Sequence, residues 1–461
     1  MRPLLLLDIV GLTLSQLGED TPNLTAFAKR GACAPMSAIL PAVTCSAQAT
    51  MLTGLAPNEH GAVGNGWLDP ATRDVALWRQ ANNLVSGEKI YETARKENPD
   101  FSCAKLFWWW NMGAAVDYSI TPRPFYPADG RKLLAVYGTP HEYAQEMEQR
   151  FGAFPFFDFW GPKSGLPSTR WIADVTIATL KEKRPNLTMA YLPHLDYDHQ
   201  RFGPHDPRSK QALRDVDKVF GDLLAAADEI GAETLVVSEY GIRDVNKPVH
   251  INRILRDAGL LKVRETPVGD VLDVFASRAF AVADHQLAHV YTSDPAAARE
   301  ALGGVAGIEA ILEGPSRAEA GLDHARAGDL VCLSDTDAWF TYYYWNDPAN
   351  EPDFARTIDI HRKPGYDPCE LFLDPNVRAP MLRIASFLAK KKLGFRGLMK
   401  VIPVDANLVR GSHGRLPDRP DEGPLFLSSM PFGPAGPEPT GDTVAMTSVK
   451  DRVLRMLRAL R

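Results

Sequence analysis

Thr44 stands where an irregular stretch gives way to a short helix, in Pro41-Ala42-Val43-Thr44-Cys45-Ser46-Ala47-Gln48. A helix start presents unpaired N–H groups and the positive end of the helix dipole, which together attract anions. A hydroxyl placed there can attack phosphorus once something lowers the cost of its deprotonation. Read alone, Thr44 is better explained as a helix cap, the usual role of Thr at such a position. Other polar tips change that balance. Asp8 closes the run Leu4-Leu5-Leu6-Leu7, Asp196 with His199 and Gln200 follows the run ending at Leu192, and Glu239 with Tyr240 follows Val236-Val237-Ser238. His413 lies between glycines in Gly411-Ser412-His413-Gly414. Carboxylate, imidazole and hydroxyl are the ligand types of Zn²⁺, Mn²⁺ and related ions. Paired ions of this kind clamp the attacking and leaving oxygens of an in-line displacement at phosphorus. Taken singly, each residue reads as a turn former, a cap or a structural histidine. Together they read as a site.

The elements that must position these tips alternate between strand and helix. Short apolar runs at 4–7, 187–192 and 234–238 read as buried parallel strands, and helices are expected near 22–30, 168–183, 209–230 and 448–460. That alternation predicts an α/β fold with a doubly wound, mostly parallel central sheet, whose polar strand ends gather along one edge. The expected layout is a single domain of 461 residues with its core at about 1–66, 166–260 and 400–461. An aromatic-rich insertion is expected at 67–165 and a cap-like insertion at 261–399. The aromatic runs Phe107-Trp108-Trp109-Trp110 and Trp339-Phe340-Thr341-Tyr342-Tyr343-Tyr344-Trp345 are candidate linings for a leaving-group pocket, or simply core. A Pro/Gly-rich linker is read at 431–441.

Composition narrows the class. With 45% hydrophobic and 23% charged residues the chain is an ordinary globular protein, and a net charge of −6 shows no footprint for nucleic acid or an anionic membrane. No run approaches the roughly 20 apolar residues of a membrane span. The start, Met1-Arg2-Pro3-Leu4, reads as a strand rather than a signal peptide, because Asp8 interrupts its apolar run. Five scattered cysteines indicate neither a disulfide framework nor a cysteine zinc site, so a cytoplasmic location is the default.

Five blocks make the reading more specific. They are Asp8-Ile9-Val10-Gly11; Pro41-Ala42-Val43-Thr44 with Thr53-Gly54-Leu55, Pro57, His60-Gly61 and Asn65; Asp196 with Gly203-Pro204; Val237-Ser238-Glu239-Tyr240-Gly241 with Asn252-Arg253-Ile254-Leu255; and Gly411-Ser412-His413-Gly414. In this order they resemble the alkaline phosphatase superfamily, and most of all its type I phosphodiesterase/nucleotide pyrophosphatase branch. The resemblance implies one divalent ion at Asp8, Thr44 and the Glu239-Tyr240 pair, and a second at Asp196, His413 and the residue four after Asp196. It implies Thr44 as nucleophile, Asn65 as a hydrogen-bond donor to a phosphate oxygen, and zinc as the family metal.

Two blocks depart from the family pattern at three positions. Glu239-Tyr240-Gly241 stands where the family has Asp-His-Gly. Gln200 stands where a histidine is expected, with His199 one residue early and able to fill that role across a one-residue bulge. Oxygen donors at these positions point to Mn²⁺ or Mg²⁺, or to a single well-bound ion. The expectation is a metal-dependent hydrolase of phosphate esters, of the phosphodiesterase/nucleotide pyrophosphatase type, working through a phospho-threonine. Its partner is a small phosphorylated substrate, with no nucleic-acid polymer and no membrane. The alternatives are a phosphonate hydrolase or phosphoryl transferase on the same fold, or a binding protein with an eroded metal site.

Overall fold

The computed structural model describes residues 1–128, 131–433, 436–437 and 443–461. Parts of the expected linker at 431–441 therefore lie outside the described residues.

The first strand, β1 (Leu4–Ile9), has all six residues buried, as its continuous apolar run requires of a strand covered on both faces. It sits inside a nine-stranded sheet with β2 (Ala32–Ser37), β3 (Cys103–Leu106), β4 (Tyr118–Pro122), β5 (Val136–Thr139), β6 (Leu187–Leu192) and β7 (Glu233–Val237). A second, four-stranded antiparallel sheet holds β8 (Ala279–Asp284), β9 (Leu287–Thr292), β10 (Ile308–Leu312) and β11 (Leu330–Ser334). The chain then returns to the large sheet as β12 (Leu425–Ser428) and β13 (Val444–Ala445), giving the order β13-β2-β12-β7-β1-β6-β3-β4-β5. The five strands from β7 to β4 run parallel. Strand β12 is antiparallel to both neighbours and β5 closes the far edge antiparallel to β4.

Helices cover both faces. One core cluster packs α1 (Pro22–Arg30), α3 (Leu166–Ala178) and the long α5 (Pro207–Glu229) on one face of the sheet. The other cluster joins α2 (Thr44–Thr53) to the C-terminal helix Val449–Ala459. All ten residues of α2 are buried, so this helix lacks a solvent face. Its Thr, Cys and Ser are weak helix formers, and packing on every side is what holds it.

The expected insertion at 67–165 needs redrawing. Strands β3, β4 and β5 fall inside it and extend the central sheet, so those residues are core. Their runs are only four or five residues long and flank the aromatic stretch 107–110, which hid them in the sequence. The helix Pro380–Lys392 was likewise unforeseen.

Candidate active site

Strand ends and helix starts converge at the carboxyl edge of the parallel strands. Asp8 lies in β1 and Glu239 two residues beyond β7, the strand paired with it. Thr44 is the first residue of α2, with Val43 as the N-cap. Thr44 therefore does not cap the helix. Its Oγ1 lies 3.1 Å from the Tyr240 hydroxyl instead. Asp196 is in the first turn of α4 (His194–Phe202), which directly follows β6.

The acidic pair at the centre is fully buried. Neither carboxylate oxygen of Asp8 nor Oε2 of Glu239 has a hydrogen-bond partner among the described residues. Glu239 Oε1 accepts from Gln48 Nε2 at 2.6 Å, and Gln48 in turn accepts from the Trp109 backbone N–H at 2.5 Å. Burial, reinforced by the charge of Glu239, raises the Asp8 pKa well above the usual carboxylate range, and burial raises that of Glu239. Two facing carboxyls with a single donor between them require a shared proton or a cation.

The second group is arranged differently. Asp196 Oδ2 accepts from Gln200 Nε2 at 2.7 Å, and Oδ1 accepts from the Tyr240 hydroxyl at 3.3 Å. Gln200 Oε1 accepts from the Tyr366 hydroxyl at 3.1 Å. His413 Nδ1 donates to the Ala42 carbonyl at 2.8 Å, leaving Nε2 at 3.8 Å from Asp196 Oδ1. Burial pushes Asp196 up to about 7 and His413 down to about 3. The hydroxyl of Tyr240 is raised well above its usual value, also by burial, so the residues around it do not make it a phenolate.

Gln200, and not His199, faces Asp196. The His199 ring is buried with neither nitrogen bonded, and a Cβ at Gly11 would lie 3.7 Å from its Nδ1. Burial lowers its pKa to about 3. Asn65 does reach the site. Its Oδ1 accepts from the Cys45 N–H at 3.0 Å, and its Nδ2 donates to Asp284 Oδ1 at 3.0 Å.

Asp284, His285 and Tyr366 escaped the sequence reading because they lie in the expected cap, far from any matching block. The one signal was the adjacent Asp-His pair at 284–285. His285 completes a column of four rings. Tyr240 stacks on His413 at 3.6 Å, His413 meets His285 tilted by 35° at 3.7 Å, and His285 stacks on Tyr366 at 3.9 Å.

Thr44, Asn65, Asp196 and this column line a pocket of about 70 Å³, whose outer wall is Trp78, Trp109, Phe159 and Trp160. Trp160 is held by Glu370, which accepts its indole N–H at 2.5 Å and pairs with the buried Lys363 at 2.7 Å. The aromatic runs thus contribute singly. Trp109 lines the pocket, Trp108 and Trp110 are core, and the 339–345 cluster packs in a separate core beside the small sheet.

The family described as type I phosphodiesterase/nucleotide pyrophosphatase matches residues 4–367. The chain belongs to that family. An uncharacterised pyrophosphatase/phosphodiesterase of Schizosaccharomyces pombe is 25% identical over 216 residues, which is 44% of this chain and 36% of the yeast protein. The chain thus matches about a third of that relative's length. Murine ectonucleotide pyrophosphatase/phosphodiesterase 5 superposes with a TM-score of 0.60 at 14% identity, covering 99% of this chain and 95% of its own. Phosphonoacetate hydrolase from Sinorhizobium meliloti, in complex with phosphonoacetate, gives 0.62 at 13% identity, covering 100% and 96%. These likenesses show that the chain shares its fold with those two proteins. Phosphodiesterases and pyrophosphatases of this family are hydrolases of phosphoric esters and anhydrides.

The residues present fit a metal unequally. Asp8 and Glu239 leave three buried oxygens without donors beside Thr44, a set suited to one oxygen-liganded cation. At the second set both oxygens of Asp196 accept a hydrogen bond, one from an amide and one from a phenol, and His413 Nε2 stands 3.8 Å from Oδ1. Among the described residues no group of three or more His, Cys, Asp or Glu side chains is arranged to hold an ion.

Proposed function

We propose that the chain hydrolyses phosphate esters of the phosphodiester/nucleotide pyrophosphate type, with Thr44 as nucleophile. The observation that carries this is a directed hydrogen-bond chain. The single Tyr240 proton points to Asp196, so Thr44 donates to the Tyr240 oxygen, and the Thr44 oxygen faces the pocket at a helix start. Attack forms the bond from Thr44 Oγ1 to phosphorus and breaks the bond to the leaving alkoxide. The Thr44 proton passes to Tyr240 as the Tyr240 proton passes to Asp196, and solvent protonates the alkoxide. Water then attacks phosphorus and gives one proton to solvent, the bond from phosphorus to Thr44 Oγ1 breaks, and the proton held on Asp196 returns through Tyr240 to Thr44. Asn65 and the N–H groups at the start of α2 hold the non-bridging oxygens. Asp8, Glu239 and Thr44 would hold a divalent ion, which when bound neutralises charge on those oxygens. The complex of an inactive murine phosphodiesterase 5 with AMP supports a small phosphorylated ligand.

The test is hydrolysis of a chromogenic phosphodiester, a monoester and a phosphonate across a panel of divalent ions, beside metal analysis of the purified protein. Thr44→Ala should lower kcat at least about a thousandfold and remove the phospho-threonine trapped by acid quench. Undiminished activity in that variant overturns the assignment. A second reading, binding without turnover, is favoured by the saturated Asp196. It predicts calorimetric binding of the phosphoester with no hydrolysis under any ion.

A further inference from the structure

The net charge of −6 conceals one strongly basic segment. Between Asp374 and Asp405 there is no acidic residue, and Arg378, Arg383, three consecutive lysines at 390–392, Arg396 and Lys400 all fall there. None of these seven forms an ion pair with a described carboxylate. The same segment carries Met381, Leu382, Leu388, Leu393, Phe395 and Leu398, all exposed, with Leu382 and Leu393 at 73% and 75%. These are six of the sixteen exposed large hydrophobic side chains of the described chain, gathered within eighteen residues. An amphipathic helix with cations and bulky apolar side chains at its surface, Pro380–Lys392 here, is the form that lies in a lipid interface. At thirteen residues it is too short to span, and no helix among the described residues is long and apolar enough to cross a membrane.

The helix also walls a cavity. Phe387, Leu388 and Met399 close one side of a space of about 410 Å³, opposite Pro122, Leu134 and Phe157. Leu134 and Phe157 are themselves exposed, so the apolar surface continues across the cavity mouth. Three cations, Arg123, Lys132 and Lys391, stand among these apolar residues. Inside, the cavity shares Trp78, Trp109, Phe159, Trp160 and Ile360 with the pocket at Thr44. A basic, apolar surface thus adjoins an aromatic space that abuts the phosphoryl site.

We propose that residues 378–400 dock the protein on an anionic lipid surface, and that the aromatic cavity they wall admits the apolar part of a phosphoester drawn from it. The second half rests on the phosphoesterase reading above. Charge selects this occupant over a second copy of the chain, because a two-fold contact would set one seven-cation segment against another. Exposed Leu and Phe distinguish it from a surface made for nucleic acid, whose affinity comes chiefly from phosphate contacts.

The test is cosedimentation of the full chain with phosphatidylcholine vesicles and with equimolar phosphatidylcholine/phosphatidylglycerol vesicles. Binding should favour the anionic vesicles and fall as salt rises. The triple variant Leu382→Asp/Leu393→Asp/Phe395→Asp should weaken it at least about tenfold. The variant Lys390→Glu/Lys392→Glu/Arg396→Glu should abolish the preference for anionic lipid. Both variants alter exposed positions outside the cavity lining and should keep the wild-type melting temperature and turnover of a soluble diester. Along a series of soluble alkyl phosphodiesters KM should fall with chain length, by at most about fourfold per methylene. No vesicle binding, binding indifferent to lipid charge, or self-association abolished by the triple variant each overturns the docking. A KM indifferent to chain length overturns the cavity assignment. Vesicle binding is read without catalysis, so docking with no hydrolysis of any ester refutes the phosphoesterase reading alone, and hydrolysis without docking refutes this one alone.

Discussion

Tyr240 is the residue on which the chemistry turns. Its hydroxyl bridges Thr44 at 3.1 Å and Asp196 at 3.3 Å, and its ring lies parallel to His413 at 3.6 Å. A histidine there would offer a metal a nitrogen; the phenol instead gives Thr44 an acceptor and spends its own proton on Asp196. Tyr240→Phe keeps the ring stack and removes only that link. The expected result is a fall in kcat of about ten- to a hundredfold with KM little changed, as removal of a proton-transfer partner predicts. Equal loss in KM alone would make Tyr240 a binding residue. Gln200→His tests the other departure. It replaces the amide that occupies Asp196 with an imidazole, and metal analysis should show a second ion retained only in that variant.

At the scale of elements, close backbone approach rather than side-chain chemistry sets the position of His413. Gly411 and Ser412 pair with residues 243–244, and the loop is tied to Ala42 and Gln286 by backbone hydrogen bonds of 3.0 and 2.8 Å. A Cβ at Gly411 would fall 2.0 Å from the His199 carbonyl oxygen, so loop and α4 touch through backbone alone. Gly411→Ala should cost about 1–3 kcal/mol through forced displacement, read as a lower urea midpoint, and should lower kcat as His413 moves. Helix α2 makes the complementary point. Its ten residues carry no stripe that periodicity could detect, and only burial against the sheet and the C-terminal helix holds Thr44 at the edge.

At the scale of the whole molecule, buried neutral histidines tie stability to pH. His60 Nδ1 accepts from the Ala62 N–H at 3.0 Å, and its Nε2 meets Thr50 Oγ1 at 2.9 Å, fastening α2 to the loop behind it. Burial, with the positive charge of His324 and Arg326 beside it, lowers its pKa from 6.5 to about 3. The unfolded chain therefore binds the extra proton between those values. The contribution of neutral His60 is complete above pH 6.5 and is lost as pH falls towards 3, by up to about 4–5 kcal/mol across the window. His60→Gln should accordingly be less stable than the wild type at pH 7, and the gap should shrink as the pH is lowered. Urea midpoints measured from pH 7 to 4 check this, and a constant gap would contradict it.

Local pattern in the chain was enough to establish the α/β class, the strand ends bearing Asp8, Asp196 and Glu239, and the family to which Thr44 and its neighbours belong. Each of those signals is short-range: an apolar run, a turn glycine, a spacing of a few residues. What only the tertiary structure decided is which groups face one another. Gln200 rather than His199 meets Asp196 because the turn of α4 points residues four apart to one side. Asp284, His285 and Tyr366 enter the site from residues that carry no catalytic spacing: Asp284 ends β8 and is held by Asn65, His285 follows it against His413, and Tyr366 stacks on His285. Trp109 lines the pocket while its two tryptophan neighbours turn into the core. Through-space neighbours tens or hundreds of residues apart leave no periodicity for sequence to show, and the content of this site is made of such pairs.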